Sequence, residues 1–379
     1  MAAAPIYLDH QASTPCDPAV VAAMAPLWGE DFANPSSRGH RPGLNAALLV
    51  DQARESLAAA LAIPPHTLVF TSGATEANNL AIKGLCEARL ARGRHVITVA
   101  TEHRAVLDPC RYLERLGFSL TVLPVAADGL LDPAQLEAAM GPSTVLVSVM
   151  AANNEIGVLQ PLEAIAAICR RHGAAFHCDA AQLVGHQLIK PLELGIDLLS
   201  FSGHKFYGPK GIGALVVAED LELAAQIHGG GQEGGRRSGS LSTPLIVGLA
   251  TALDLALADA PGRAQRLGQL RDQLWSGLEQ LGGICVNGAL KPRLAHNLNV
   301  SVAGVDGSRL HSGLRRGLAV SGGSACSSAS GEPSHVLIAL GRSRQEAAAS
   351  VRFGLGRSTT EEQIKETLAF INQLLAKLR

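Results

Sequence analysis

The segment Ser200-Phe201-Ser202-Gly203-His204-Lys205 ends an apolar run and delivers a lysine into a glycine-containing turn. A lysine amine that is desolvated, or crowded by other cations, forms Schiff bases with carbonyl compounds. Three other segments supply what a phosphorylated aldehyde of that kind needs. Small residues from Ser72 to Glu76 stand at a strand-to-helix junction, where free backbone amides suit a phosphate. Asp179 closes the run AAFHCDA and offers an acid for a ring nitrogen, and His103 follows HVITVA with an imidazole that can lie on a ring and exchange protons near neutral pH. Each has a plainer alternative: a capped turn at Ser72, a helix N-cap at Asp179, a structural histidine at 103. In combination with Lys205 they point to pyridoxal 5'-phosphate (PLP), which pairs a Schiff-base lysine with an acid at the pyridine nitrogen. Cys326, in SGGSACSSASGEPS, adds a second nucleophile.

The elements that must position these groups read as an α/β fold. Seven apolar or β-branched runs, at 68–72, 95–100, 120–125, 144–150, 174–180, 198–202 and 212–218, are separated mostly by amphipathic stretches such as 76–91, 104–116 and 162–172. Strand and helix in alternation predict a mostly parallel seven-stranded sheet covered on both faces. Ligands of such sheets gather at the carboxyl ends of strands, where Ser72, Asp179 and Ser202 fall. The glycine cluster at 228–235 predicts a long functional loop. An Ala/Leu/Arg pattern over 245–282, broken near Pro261, leads out of this unit. Residues 285–353 then read as a smaller α+β unit, closed by a helix over 360–378 with Thr360 as its N-cap. The expected division is a large domain over 15–258 and a small domain formed by 1–14 and 259–379, the latter carrying the cysteine loop.

Composition narrows the function. With 32 Lys+Arg against 33 Asp+Glu the net charge is -1, so no basic field draws nucleic acid or an anionic membrane. Seven cysteines at 16, 86, 110, 169, 178, 285 and 326 include no C-x-x-C pair, which argues against a disulfide framework or a metal site. No G-x-G-x-x-G follows the first strand and no G-x-x-x-x-G-K-[ST] occurs, so dinucleotide and triphosphate binding lack support. The N-terminus has neither a basic region nor a long apolar run, and the expected compartment is cytoplasmic, with no membrane partner.

The motifs YLDHQASTP, TSGATEANNLAIKG, TEHRAVL, NNEIGVLQP, HCDAAQ, SFSGHKFYGPKGIGAL, GGGQEGGRRSGSLST, SGGSACSSAS and VRFGLGR occur in this order over nearly the whole chain. Together they resemble the cysteine desulfurases of the class V aminotransferase family, which have the PLP type-I fold. The resemblance is to the iron-sulfur assembly branch with a long cysteine loop. It implies that Lys205 carries the cofactor, that Ala74, Thr75, Ser202 and His204 hold its phosphate, that Asp179 faces the pyridine nitrogen, that Gln182 lies near the phenolic oxygen and that His103 stacks on the ring. Asn154 and Arg352 would hold the carboxylate of L-cysteine, with Asn34 a further candidate and Asn154 also beside the cofactor. Ser240 would reach the phosphate of a neighbouring subunit, implying a homodimer with shared sites. Cys326 would be the nucleophile that takes the substrate's sulfur, leaving L-alanine, for transfer to an acceptor such as an iron-sulfur scaffold protein. Its glycine and serine neighbours suit a thiol that must meet both the cofactor and that acceptor.

His10 and Ala181 stand where such enzymes often carry tyrosine and a hydroxyl residue, and Ser240 where threonine is frequent. The sequence ends at Arg379, whereas many such enzymes continue into a tail that docks the scaffold, so docking by that route is not expected. The nearest rival readings are a selenocysteine lyase or an aminotransferase of the same fold; a protein holding PLP without catalysis is disfavoured by the joint presence of Lys205, Asp179, His103 and Cys326.

Overall fold

The computed structural model describes residues 4–322 and 332–379, so Cys326 lies outside the described residues. In chain order the strands are β1 (Ile6–Tyr7), β2 (Leu68–Thr71), β3 (His95–Val99), β4 (Ser119–Leu123), β5 (Thr144–Ser148), β6 (Ala175–Asp179), β7 (Leu198–Ser202), β8 (Gly213–Val217), β9 (Ile284–Val286), β10 (Asn297–Val302), β11 (Leu318–Ala319) and β12 (Ser350–Gly354). The seven central strands form one sheet in the order β2-β8-β7-β6-β5-β3-β4. β8 pairs antiparallel with β2 and β7, and the remaining pairings are parallel. The carboxyl ends of β2, β6 and β7 therefore open on one edge and carry Ser72, Asp179 and Ser202 to it.

The strands read as continuous apolar runs because both faces of the sheet are covered. Phe70, Ile97, Val147, Phe176 and Phe201 enter one core with the helices Arg41–Leu61, Leu162–His172 and Thr243–Ala258. Their alternates Val69, Val96, Leu146, Ala175 and Leu215 enter the opposite core, with Val106 and Cys110 of the helix Arg104–Glu114. β8 begins with a glycine for a steric reason. A Cβ at Gly213 would sit 2.3 Å from the Phe201 carbonyl oxygen and 2.7 Å from Cα of Gly73.

A second sheet, β12-β10-β9, is antiparallel. Val300 and Val351 pack there with Leu270 and Leu274 of the helix Ala260–Gln280, Ile371 of the helix Glu361–Leu378, and Leu8 from the N-terminal segment. β1 and β11 pair in parallel, which brings the N-terminal segment to this core. The pattern over 245–282 folds as two helices bent by 69°, with Pro261 in the first turn of the second. Thr360 caps the last helix through a capping box completed by Gln363. The helical stretch after Glu76 is not uniform: a π turn spans Leu80–Gly84, where the Gly84 carbonyl accepts the amide of Ala224 from outside the helix.

Inside the sheet, His177 is fully buried between the hydroxyls of Ser148 (2.8 Å) and Ser200 (3.0 Å), and burial pushes its pKa down to about 3. Below its ordinary value of 6.5 the unfolded chain takes up a proton that the folded chain refuses, so stability falls as pH falls. This group alone should cost roughly 1 kcal/mol per pH unit between about pH 6 and 4. Chemical denaturation across that range checks it. His177→Gln should reduce the slope by about that amount, while buried His186 and His296 keep a dependence of the same sign, and an unchanged slope would remove His177 as a contributor.

Candidate active site

A cavity of about 270 Å³ opens at the carboxyl edge of the large sheet, lined among others by Thr75, Asn78, His103, Asn154, Asp179, Gln182, His204, Lys205 and Arg352. Lys205 ends the short turn Gly203–Lys205 that follows β7. Its amine donates to the carbonyl oxygens of Gln11 (2.7 Å) and Ala12 (3.0 Å), so the N-terminal segment walls the cavity. Asp179, buried at the end of β6, accepts from Asn78 Nδ2 (2.7 Å) on one oxygen and from the Ala181 amide (2.9 Å) on the other. It bonds the backbone of the turn that follows, where no helix begins for it to cap, and it lines the cavity. Gln182 Nε2 donates to the Gln11 carbonyl at 3.1 Å.

His103 is the N-cap of the helix Arg104–Glu114, its Nδ1 accepting the Ala105 amide at 3.0 Å. That bond assigns the proton of the neutral ring to Nε2. Burial lowers its pKa, as does the positive charge of Lys205, while Asp179 opposes the shift. The ring therefore stays neutral at physiological pH and presents an N–H donor. His204 is neutral for the same reasons, pushed down to about 4 by burial and by Lys205 and Lys210.

Arg352, 2% exposed on β12, donates Nη1 to the Asn154 carbonyl (2.9 Å) and Nη2 to Asp9 Oδ1 (2.6 Å). Its Nε has no partner among the described residues, nor have Asn78 Oδ1 and Gln11 Nε2, and all three residues line the cavity. Buried polar atoms are rarely left unpaired, so these mark groups kept for a ligand.

Ala74 and Ser202 stand beside the cavity without lining it; Ser202 Oγ lies 3.5 Å from where a Cβ on Gly73 would be. Gly73, at φ +147°, opens the helix Ala74–Asn79 and leaves the amides of its first turn without helical acceptors. Asn34 is exposed and accepts the Ser36 amide at 2.9 Å, and the structure does not bring it to the cavity. Ser240 is likewise exposed and away from it. Its loop is tied to the phosphate cup by Arg237, whose Nε reaches Glu76 at 2.7 Å. Sequence reasoning missed Asp9, Gln11 and Asn78 as site residues, although all three fall inside the motifs YLDHQASTP and TSGATEANNLAIKG. The signal available was a run of polar side chains directly after short apolar segments.

This arrangement is that of a PLP enzyme. Residues 6–367 match the aminotransferase class-V family, and the chain belongs to it. It is 50% identical over 377 residues to a protein named cysteine desulfurase IscS from Methylococcus capsulatus, covering 99% of this chain and 93% of that protein. The protein of the same name from Dechloromonas aromatica is 50% identical over 378 residues, with the same coverage. Among solved structures, a NifS-like protein superposes with a TM-score of 0.93 at 36% identity, covering 99% of this chain and 100% of that one. SspA in complex with cysteine superposes at 0.82 with 39% identity, covering 92% and 98%. PLP is the cofactor of this family, and the donor set fits it: Thr75, His204 and the helix-start amides for the phosphate, Lys205 for the aldehyde and Asp179 for the ring nitrogen.

The cap bond at His103 separates its two tasks. His103→Ala should lose about 1 kcal/mol of stability with the cap, and His103→Asn, itself a good N-cap, should keep it. Both should lower turnover by about 100-fold or more if the ring also handles a proton. Turnover that survives in the asparagine variant would leave His103 with a structural role alone.

Proposed function

We propose that the chain is a cysteine desulfurase, converting L-cysteine to L-alanine and holding the sulfur as a persulfide on Cys326. The observation that carries this reading is Arg352, a buried guanidinium whose Nε has no partner among the described residues, in the same cavity as Lys205. Such a group, next to Asn154, suits the planar carboxylate of an amino acid. The names of the relatives and the cysteine bound to SspA support cysteine as that amino acid.

PLP, when bound, supplies an electron sink for the pair released at the substrate Cα. Arg352 and Asn154 orient the carboxylate, the Lys205 amine moves the Cα proton, and the Nε2–H of His103 faces the substrate as a donor. The Cys326 thiolate attacks the substrate sulfur, an S–S bond forms as the C–S bond breaks, and protonation at carbon completes L-alanine. Atoms balance: L-cysteine and the Cys326 thiol give L-alanine and the Cys326 persulfide. A thiol at the reference pKa of about 8.5 is only a few per cent ionised at neutral pH. Four other thiols are poor substitutes, since burial pushes Cys86 and Cys169 up to about 12 and raises Cys110 and Cys178 as well.

The reading includes a homodimer. An apolar groove lined by Cys16, Val21, Met24, Trp28 and Pro209, with Trp28 59% exposed, suits a second copy. The exposure of Ser240, which does not line its own cavity, supports its reaching a partner's. It also includes delivery of the persulfide sulfur to an acceptor protein, with iron-sulfur cluster assembly the use that the resemblance of the motifs implies.

Cys326→Ser should bind PLP and L-cysteine and release no stoichiometric alanine. Mass spectrometry of the wild type after brief exposure to cysteine should find one added sulfur on the peptide containing Cys326. Alanine release by the serine variant, or sulfur placed on Cys110 or Cys178 instead, would contradict the assignment.

A further inference from the structure

Gln11 is 1% exposed and lines the cavity, yet its amide nitrogen has no partner among the described residues. A chain of bonds fixes which way its side chain faces. Arg293, which can only donate, gives Nη1 to Asn297 Oδ1 at 3.2 Å. Asn297 must then turn Nδ2 the other way, where it donates to Gln11 Oε1 at 2.6 Å and to the Glu155 carbonyl at 3.0 Å. With its oxygen committed to Asn297, Gln11 keeps two N–H donors that none of the described residues uses.

Gln11 lines the same cavity as Arg352 and Asn154, the groups proposed to hold the substrate carboxylate. Asn297 and Arg352 lie on the paired strands β10 and β12, in the register Asn297↔Gly354 and Asn299↔Arg352. The Glu155 carbonyl that Asn297 also bonds belongs to the residue after Asn154, whose own carbonyl accepts from Arg352. Arg352 alone is an incomplete anion site, because Asp9 already holds its Nη2 at 2.6 Å and offsets its charge. A further neutral donor strengthens the site without another buried charge.

We infer that Gln11 is a substrate-binding residue whose Nε2 donates to the carboxylate of the amino-acid substrate, beside Arg352 and Asn154. The inference rests on the desulfurase reading for the identity of that substrate. It makes the site selective for amino acids over the corresponding amines, since an amine leaves the Gln11 donors buried and unpaired.

The test compares L-cysteine with cysteamine, which lacks only the carboxylate, on Cys326→Ser holoenzyme, reading binding from the cofactor absorbance. Adding Gln11→Met should weaken L-cysteine by about tenfold or more while cysteamine stays within about twofold. Gln11→Glu keeps an oxygen for Asn297 and sets a carboxylate against the substrate's, so it should weaken L-cysteine further and spare cysteamine. Equal losses for the two ligands, or undiminished L-cysteine binding, would overturn the inference. Failure of both variants to fold would assign Gln11 to the scaffold and overturn it as well. The desulfurase reading fails by a separate sign, alanine release without Cys326, so the two outcomes stay distinct.

Discussion

The site depends on a lysine ammonium at the end of a buried strand and on where its acceptors come from. A charge in such a place is costly unless it is bonded, and the carbonyls of Gln11 and Ala12 meet Lys205 there. The N-terminal segment is therefore drawn across the carboxyl edge of the sheet. Thr14 bonds the His204 carbonyl and accepts the Tyr207 amide, fixing the segment on one side of Lys205. Asp9 pairs with Arg352 at 2.6 Å on the other, and Leu8 enters the core of the second sheet. One stretch of seven residues thus links Lys205 to Arg352.

Around that stretch, charge is distributed by environment rather than by residue type. His103 and His204 are kept neutral by burial beside the Lys205 cation, which leaves them as hydrogen-bond donors and not as competing positive charges. Burial raises the carboxyl pKa values of Glu102 and Glu155, and each has one oxygen without a partner among the described residues. The pairing of Arg352 with Asp9 follows the same logic, keeping a guanidinium fork in place while moderating its field.

Much of this was legible in the chain. The seven apolar runs correspond to the seven strands of the sheet, because strands covered on both faces leave an uninterrupted apolar signature. Lys205, Asp179 and His103 could be picked out because each closes or follows such a run. The N-terminal contacts could not be read from sequence. Asp9 meets Arg352 across 343 positions and Gln11 meets Asn297 across 286, and neither local propensity nor periodicity encodes such pairings. The π turn at Leu80–Gly84 was hidden as well; its last carbonyl accepts an amide from Ala224, far along the chain. Asn34, chosen by resemblance, is engaged by the neighbouring Ser36 amide, and nothing in its local sequence revealed that.

The central claim is that Lys205 is the residue to which the cofactor binds covalently. Borohydride reduction of the purified holoenzyme, followed by proteolysis and mass spectrometry, tests it most directly. The account predicts a single pyridoxyl-modified peptide, the one that contains Lys205. Modification of Lys210, Lys83 or any other lysine in its place would contradict the site described here.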